Sequence, residues 1–406
     1  MDSNLDNIIT SWLNYYIKFH NYASISLGVS NGTQSFVKTF GKYDKVQQIA
    51  SPFYNIASLS KLYTVVEMLK LVDNGVIKLK DKITDHLDYF PSKEISIEDL
   101  LAFKVDIPRD GYFNFWLTEQ FPSEEELQDQ IKSLNLTKAE TFKYSNLSYA
   151  IVGLILKKFI TIDQQERQDV IGFGKPIFGK IKQFGPVNYK SFTPAMGLNK
   201  TIEEMSAFGQ ILLNKDTALL SHESWEILLK VHLALDGDQD DVTLALRKWK
   251  GSNIYEIPGY GFGFASGLLL DYDNQNVFTV LTNSANEEFA LYFLRTIRRL
   301  MEYFGGSKTI DLSSKLNGYY RGKDYDICVY DCTNSLYIFK PYDTTPFHED
   351  NFEEFTKNGE NSYLISNRED DPYQNEIASF QFDEQGNVAG FTHGGWGFVK
   401  FTPELS

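Results

Sequence analysis

The chain has 406 residues and a formal net charge of −15, because 54 Asp and Glu residues outnumber 39 Lys and Arg residues. Apolar residues make up 42% of it, which is enough for a packed core and excludes a disordered or fibrous protein. The acidic balance argues against nucleic acid and anionic membranes as partners, and the length favours two domains or one large domain with an appendage.

The first elements are predicted from hydrophobic periodicity and from turn residues. Apolar residues at helical spacing predict a helix over residues 5–20. Two strand-like runs joined through Asn31-Gly32 predict a β-hairpin over residues 24–41. The next helix is expected to run from Lys61 to Asn74 and to end at Gly75.

The middle of the chain predicts further helices and two strands. Residues 80–140 are expected to be helical and loop-rich, with Glu124-Glu125-Glu126 opening one helix near its positive dipole end. Thr201 is the expected N-cap of a later helix. The other predicted elements are the helices Ser148–Phe159, Ile202–Leu213 and Asn286–Tyr303, and the strands Gly263–Leu270 and Val277–Thr282.

The pattern of residues along the sequence changes at Asp311. From there the chain consists of short strand-like runs and turn residues, with almost no helical period. Residues 311–406 hold 17 acidic and 7 basic side chains, so this last quarter carries −10 of the net charge of −15. We therefore predict two domains, over residues 1–306 and 311–406.

The cysteines and the N-terminus predict where the protein works. The only cysteines are Cys328 and Cys332, and no His/Cys cluster surrounds them, so we expect two ordinary thiols in a reducing compartment. Residues 1–6 lack the basic start and apolar core of a secretory signal, and no apolar run is long enough to span a bilayer. The expectation is a soluble, cytoplasmic protein.

The strongest chemical signal is the S-x-x-K sequence from Ser58 to Lys61, at a predicted strand-to-helix junction. Residues three apart share one face of a helix, so the Lys61 amine can reach the Ser58 hydroxyl. A serine is a weak nucleophile unless a base activates it, and Lys61 can be that base only if burial or nearby charge lowers its pKa. An isolated match is common, and its plain interpretation is a capping serine beside a surface lysine.

A second motif, Tyr144-Ser145-Asn146, lies 83 residues after Lys61 and just ahead of an apolar helix. Together the two motifs resemble those of the class C β-lactamase and penicillin-binding-protein-like serine hydrolase family. The resemblance covers residues 5–305 and implies an α/β (α+β) fold, in which helices and a helical subdomain flank an antiparallel sheet. Further segments that resemble the family are residues 72–81, 95–101, 197–205 and 280–283.

The resemblance implies a role for each motif residue. Ser58 would be the nucleophile that forms an acyl-enzyme, and Lys61 and Tyr144 would transfer protons. Asn146 would contact the substrate or Lys61. A tyrosine acts as a base only when cations stabilise its phenolate, and Lys61 is the expected cation. The plainer alternatives are a core aromatic for Tyr144 and a helix cap for Asn146.

The third motif of the family is degenerate in this chain. Relatives carry Lys or His, then Thr or Ser, then Gly, whereas a gap-free count places Ile257-Pro258-Gly259 at those positions. Without the cation a substrate carboxylate loses its partner, so β-lactams and D-Ala-D-Ala ends become poor candidates. The Tyr144 phenolate also loses one stabilising charge, and for that reason weak or absent activity is expected. The implied oxyanion hole survives, because it would use the backbone N–H groups of Ser58 and of Tyr260, next to Gly259.

Three other segments bear on the site. Phe103-Lys104-Val105-Asp106 stands where relatives have a His-Thr-Ser-Gly-like turn. The aromatic stretch Gly111–Phe121 would line an apolar cleft or form ordinary core. His393-Gly394-Gly395 is similar to the missing third motif, but its place near the C-terminus favours a glycine-rich turn before the final strand.

The C-terminal segment, from residues 316–322 onward, resembles the small lipocalin-like β-barrel appended to many of these hydrolases. Such a module could cover the cleft, mediate dimers or bind a ligand of its own.

The sequence therefore predicts a serine hydrolase of esterase, amidase or acyltransferase type that needs no metal or cofactor. Its expected partner is a small ester, amide or peptide, and a homo-oligomer is left open. One alternative is a catalytically impaired relative that keeps the cleft as a binding site. The other is a β-lactamase or D-amino-acid peptidase.

Overall fold

The structure is a computed structural model, and its contacts divide the chain into two compact units. One unit comprises Met1–Tyr22 and Tyr292–Ser406, and the other comprises Ala23–Leu291. The predicted domain boundary between residues 306 and 311 stays a prediction, because residues 305–310 lie outside the described part of the chain. The structure describes residues 3–20, 22–31, 35–41, 51–161, 167–175, 180–237, 240–284, 289–304, 311, 313–332, 335–343, 352–359, 361–365 and 377–403.

The helices follow the predicted positions closely. The predicted cap of the 202–213 helix is present, since the Thr201 hydroxyl accepts a hydrogen bond from the Glu204 amide at 3.2 Å. Among the described residues, no helix is both long and apolar enough to cross a membrane. The described helices are α1 (Ser3–His20), α2 (Ser60–Asp73), α3 (Ile83–His86), α4 (Ile97–Leu101), α5 (Phe115–Thr118), α6 (Glu124–Ser133), α7 (Asn146–Leu156), α8 (Thr193–Met196), α9 (Ile202–Asn214), α10 (His222–Leu229) and α11 (Phe289–Phe304).

The strands form one large sheet, one barrel and three short two-stranded pairings. In chain order the described strands are β1 (Ser24–Ser30), β2 (Ser35–Gly41), β3 (Tyr54–Asn55), β4 (Val105–Asp106), β5 (Thr137–Lys138), β6 (Gly172–Phe173), β7 (Gln183–Phe184), β8 (Asn199–Lys200), β9 (Asp241–Val242), β10 (Arg247–Lys248), β11 (Ile254–Gly261), β12 (Phe264–Asp271), β13 (Asn276–Thr282), β14 (Gly318–Arg321), β15 (Asp326–Cys332), β16 (Ser335–Phe339), β17 (Phe352–Lys357), β18 (Ser362–Ile365), β19 (Ile377–Phe382), β20 (Val388–His393) and β21 (Trp396–Phe401).

The Ala23–Leu291 unit is built on a seven-stranded antiparallel sheet in the order β2-β1-β13-β12-β11-β10-β9. The predicted hairpin is present, because β1 and β2 pair antiparallel with Ser30 opposite Ser35. Every residue of β1 and of β12 is buried, so both faces of these central strands are covered. The sheet therefore offers a rigid support for side chains at its β11 side.

The apolar helix α7 is buried along its whole length, since all 11 of its residues are shielded from solvent. The short helix α8 contacts it at Gly153, where a Cβ would lie 2.3 Å from Cγ of Pro194. The absent side chain lets α8 approach α7, and this approach places the Ala195 carbonyl within 2.8 Å of the Lys61 amine on α2. Close packing of these helices thus fixes one wall of the region around Ser58.

The strands β14 to β21 form a closed barrel, in which each strand pairs antiparallel with the next and β21 pairs back with β14. This barrel confirms the small all-β domain predicted for the C-terminal segment. Aromatic side chains pack in its core. The large aromatic members of the core are Tyr320, Phe355, Tyr363, Phe380, Phe391 and Phe398.

The first helix of the chain belongs to the same unit as the barrel. Trp12 Nε1 donates to the Pro341 carbonyl at 3.0 Å, and the Tyr15 hydroxyl donates to the Asp326 carboxylate at 2.9 Å. The rings of Tyr15 and Tyr319 stack with their centroids 5.0 Å apart. α1 therefore completes a unit whose remaining part lies at the other end of the sequence.

We expect Gly153→Ala to lower the free energy of unfolding by about 1–3 kcal/mol, because the added methyl group overpacks the α7–α8 contact. This loss outweighs the ~1 kcal/mol that alanine gains over glycine in a helix. Urea denaturation of the full chain measures the change. The matched control is Gly185→Ala, where a Cβ has no neighbour within 4 Å and the expected change is under about 0.5 kcal/mol. Equal stability of the two variants would contradict the packing argument.

Candidate active site

Ser58 lies in a one-turn 3₁₀ helix, Ala57–Leu59, that runs directly into α2. Ala57 has a φ of +46°, a conformation that is strained for a side chain other than glycine. The Asn55 side chain holds this turn, because its oxygen accepts from the Ala57 amide at 3.1 Å and its nitrogen donates to the Met196 carbonyl at 3.2 Å. The predicted strand-to-helix junction therefore presents Ser58 on a sharply bent, supported turn.

The Lys61 side chain is almost fully enclosed, with 1% of its surface exposed. Its Nζ lies 3.1 Å from Ser58 Oγ, 2.6 Å from Asn146 Oδ1 and 2.8 Å from the Ala195 carbonyl oxygen. Three acceptors match the three protons of an ammonium group. In the neutral amine, two N–H groups still donate to two of these acceptors, and the nitrogen lone pair faces the Ser58 hydroxyl. The same positions therefore suit both protonation states of Lys61.

Burial lowers the pKa of Lys61, because the enclosed site solvates the ammonium form poorly. The neighbouring Tyr144 side chain and the carboxylate of Asp110 act in the opposite direction, because both favour the ammonium form. Desolvation is the largest of these effects. A lowered pKa makes the neutral amine, which can accept a proton, more accessible than in an exposed lysine with a pKa of ~10.4.

Tyr144 contacts the nucleophile directly, since its hydroxyl oxygen lies 2.6 Å from Ser58 Oγ. Its ring stacks on Phe103 with centroids 5.1 Å apart, and Lys61 Nζ lies 4.9 Å from the ring centroid. Phe103 belongs to the turn that departs from the family pattern, and here it supports the tyrosine ring. Asn146 is the first residue of α7 and is 1% exposed. The structure thus brings Ser58, Lys61, Tyr144 and Asn146 together.

Two charged residues that the sequence did not single out, Arg109 and Asp110, also border the site. Asn146 Nδ2 donates to Asp110 Oδ1 at 2.6 Å, and Trp116 Nε1 donates to Asp110 Oδ2 at 2.9 Å. The Arg109 guanidinium carbon lies 5.5 Å from the centroid of the Tyr144 ring. In the sequence they are only a charged pair shortly after the altered 103–106 turn, and neither their spacing nor a motif indicates that they contact Asn146 or Tyr144.

The strand β11 approaches the nucleophile turn at Gly259. A Cβ built on Gly259 would lie 2.5 Å from the Ile56 carbonyl oxygen and 3.1 Å from the Ser58 amide nitrogen, so only glycine fits here. Ser266, opposite Gly259 on β12, donates to the same Ile56 oxygen at 2.7 Å. This contact supports the gap-free count that placed Gly259 at the third motif. The roles of Gly259 and Tyr260 in binding stay predictions.

Aromatic side chains line the segment beyond Gly259. The Trp116 ring stacks on Phe262 with centroids 5.1 Å apart and an interplanar angle of 12°. Atoms of Trp116 also lie 3.7 Å from the position that a Cβ would take at Gly261. Trp116 is 37% exposed, while Phe115 is fully buried, so the predicted aromatic stretch forms partly core and partly an accessible surface.

His393-Gly394-Gly395 belongs to the barrel. The two glycines form the turn between β20 and β21, with φ values of +54° and +79°. This agrees with the glycine-rich turn expected from the sequence. Within the described ranges, no three His, Cys, Asp or Glu side chains are grouped closely enough to hold a metal ion.

Known proteins resemble this chain in both sequence and fold. Residues 18–160 match the Beta-lactamase family model. Protein flp of Staphylococcus aureus (strain NCTC 8325 / PS 47) is 29% identical over 191 residues, which cover 44% of this chain and 38% of that protein. The octameric penicillin-binding protein homologue from Pyrococcus abyssi has a TM-score of 0.60 at 15% identity, covering 98% of this chain and 100% of that one. The class C β-lactamase from Rhodobacter sphaeroides has a TM-score of 0.55 at 15% identity, covering 69% and 95%.

These likenesses confirm the predicted resemblance to class C β-lactamases and penicillin-binding-protein homologues. The fold is the β-lactamase/transpeptidase-like one, with an antiparallel sheet, flanking helices and a closed C-terminal barrel. The chain matches well under half the length of the flp proteins, at 38%.

We expect Lys61→Met to change how stability depends on pH. The lowered pKa of Lys61 in the folded state means that the unfolded chain binds its proton more tightly, from that lowered value up to about 10.4. The cost of the buried charge is therefore fully present below this window and disappears as pH rises through it. The stability of the wild type, relative to the variant, should rise accordingly.

Urea denaturation of both proteins between pH 6 and pH 10 measures this difference. Lys70→Met is the matched control, because Lys70 lies on the same helix with a side chain that is 41% exposed. A stability difference between wild type and Lys61→Met that is constant across the range would contradict the argument.

Proposed function

We propose that this chain, which has the fold of the β-lactamase-related serine hydrolases, is a hydrolase or acyltransferase that works through a Ser58 acyl-enzyme. The observation that carries the proposal is the contact of Ser58 Oγ with two proton-transfer groups, Tyr144 at 2.6 Å and Lys61 at 3.1 Å. Each distance is within hydrogen-bonding reach, which a general base requires before its pKa matters. The proposed substrate is a small, neutral or apolar ester or amide.

In the proposed reaction the Ser58 hydroxyl gives its proton to the Tyr144–Lys61 pair as its oxygen attacks the substrate carbonyl. A tetrahedral oxyanion forms, and the backbone N–H groups of Ser58 and Tyr260 would stabilise it. The carbon–oxygen or carbon–nitrogen bond to the leaving group then breaks, and the leaving group takes the proton back. Water or another acceptor nucleophile attacks the acyl-enzyme with the same proton transfers in reverse, and releases Ser58.

Lys61 supports this chemistry through the three contacts of its amine. The Asn146 oxygen and the Ala195 carbonyl hold Nζ in place whichever protonation state it has. When Lys61 is neutral, its lone pair faces Ser58 and can take the proton. When Lys61 is protonated, its charge lies 4.9 Å from the Tyr144 ring centroid and would stabilise a phenolate there.

The proposed preference for uncharged substrates follows from the third motif. Ile257 and Pro258 carry no cation or hydroxyl where relatives have both, so a substrate carboxylate has no partner from that strand. The Arg109 guanidinium is near the site, but its Nε lies 3.5 Å from Asp110 Oδ2, so a carboxylate of the protein already accompanies it. The Trp116 and Phe262 rings add apolar surface beside β11.

Two alternatives keep a specific motivation. A catalytically impaired binding protein is favoured by the degenerate third motif and by the altered turn at residues 103–106. A β-lactamase or D-amino-acid peptidase is favoured by the likeness to a class C β-lactamase, which at 15% identity extends to the fold alone. A homo-oligomer is also part of the proposal, supported by the octameric state of the Pyrococcus abyssi homologue.

The first test is covalent labelling with a fluorophosphonate, followed by intact-protein mass spectrometry. We expect one adduct on the wild type and none on Ser58→Ala, because only a serine activated by a neighbouring base reacts readily with this probe. The control is Ser133→Ala, which removes an exposed hydroxyl of α6 and should label like the wild type. An unlabelled wild type would instead support the impaired binding protein.

The second test compares two p-nitrophenyl esters of the same shape, the 4-methylpentanoate and the anionic hemisuccinate. We expect kcat/KM to be at least about tenfold higher for the neutral ester, after correction for their alkaline hydrolysis rates. The reason is the missing cation at residue 257. An equal or higher rate with the hemisuccinate would contradict the proposed substrate class, and rapid nitrocefin turnover would favour a β-lactamase.

A further inference from the structure

A chain of hydrogen bonds leads from the protein surface to the proposed nucleophile through Asp110. Asp110 accepts from Trp116 Nε1 at 2.9 Å and from Asn146 Nδ2 at 2.6 Å. Asn146 Oδ1 in turn accepts from Lys61 Nζ at 2.6 Å, and Lys61 donates to Ser58 Oγ at 3.1 Å. A carboxylate thus stands two contacts behind the amine on which the proposed reaction depends.

The Asp110 carboxylate decides which way the Asn146 amide points. An ionised carboxylate only accepts hydrogen bonds, so the group of Asn146 that faces it must be the NH₂. The amide oxygen then faces Lys61, which is the orientation that an ammonium donor needs. With the amide turned around, its NH₂ would face the ammonium and an oxygen would face a carboxylate, so two contacts would become repulsive.

The position of Asp110 is fixed by the start of α7. The carbonyl of the preceding Arg109 accepts from the Asn146 amide at 2.7 Å and from the Leu147 amide at 3.1 Å. The Ser145 hydroxyl, which caps α7, donates to the same carbonyl at 3.2 Å. The loop that carries Asp110 is therefore bound to the helix that carries Asn146, and the two side chains keep their relative positions.

Four titratable or charged groups face the Lys61 amine from the surrounding elements. Tyr144 and Tyr149 present their rings with centroids 4.9 Å and 5.6 Å from Nζ. Asp110 and Arg109 act on it with opposite sign, because the carboxylate raises the pKa of Lys61 and the guanidinium lowers it. Since the two charges are opposite in sign, removing the Asp110 charge should lower the pKa of Lys61, and removing the Arg109 charge should raise it.

We propose that Asp110 is a positioning residue, which holds the Asn146 amide in the orientation that binds Lys61 and places a negative charge behind the Lys61 amine. The effect of Asp110 on catalysis rests on the proposed function. Its effect on the Asn146 amide and on the pKa of Lys61 does not. Asp110 acts through Asn146 and needs no contact with the substrate. Arg109 is its counter-charge, 3.5 Å away at Nε.

Two substitutions separate the charge of Asp110 from its hydrogen bond. Asp110→Asn removes the charge and keeps one oxygen, which can still accept from Asn146, while its NH₂ takes the place of the oxygen that accepts from Trp116 Nε1. Asp110→Ala removes both. The matched control is Asp106→Asn, which removes a 66% exposed carboxylate four residues earlier, at the end of β4. Arg109→Gln removes the opposite charge.

The test is an NMR titration of the Lys61 side chain in the full chain with ¹³C-labelled lysine, its signal being assigned by its loss in Lys61→Met. We expect the midpoint to fall by about 0.5–1 pH unit in Asp110→Asn and to rise in Arg109→Gln. It should stay unchanged in Asp106→Asn. A midpoint that does not fall in Asp110→Asn, or that falls equally in Asp106→Asn, would overturn the inference.

Fluorophosphonate labelling between pH 5 and pH 10 supplies the catalytic readout. The acid limb of the labelling rate should move in the same direction as the Lys61 midpoint in each variant, because it reports the proton that the Tyr144–Lys61 pair must lose. Asp110→Ala should label at least about tenfold more slowly at every pH. An unlabelled wild type would end the proposed function, whereas the NMR midpoints would still decide the role of Asp110.

Discussion

The three hydrogen bonds of the Lys61 amine join three separate parts of the Ala23–Leu291 unit: the Ser58 turn, the start of α7 and the carbonyl of Ala195 in α8. A buried ammonium is costly unless every proton finds an acceptor, so these parts must all lie within hydrogen-bond reach of one atom. Two features bring these parts within reach of the amine: the close approach of α8 to α7 at Gly153, and the strained turn at Ala57. The geometry around Ser58 therefore depends on placing hydrogen-bond acceptors around the Lys61 amine.

The charged side chains near Lys61 do not come from the third motif, where relatives carry a Lys or His. The third-motif strand contributes backbone and apolar side chains, and the charged side chains that act on Lys61, Arg109 and Asp110, belong to the loop between β4 and α5. Arg109 and Asp110 are neighbours in sequence and paired in space, so their combined charge is near zero while their individual effects on Lys61 are opposed. Such a pair adjusts the balance between the two forms of the amine with little net field at longer range.

The sequence predicted the elements and motifs that depend on local order. The S-x-x-K spacing placed Lys61 beside Ser58, and the Thr201 cap and the Asn31-Gly32 hairpin followed from neighbouring residues. Asp110 could not be predicted in this way, because its partner Asn146 lies 36 residues further on and their contact depends on how a loop packs against a helix. The support of Tyr144 by Phe103 was missed for the same reason, since the altered turn was identified only as a departure from a pattern.

The unit that contains the barrel is discontinuous, and this affects how the chain can fold during synthesis. α1 is synthesised before the Ala23–Leu291 unit, but its partners Pro341 and Asp326 follow the 269 residues from Ala23 to Leu291. At ~5–20 residues per second, translation of that interval alone takes on the order of 15–50 s. The Ser58 unit can therefore fold while Trp12 and Tyr15 still lack their final contacts, and the apolar face of α1 stays uncovered in the nascent chain until the barrel strands are made.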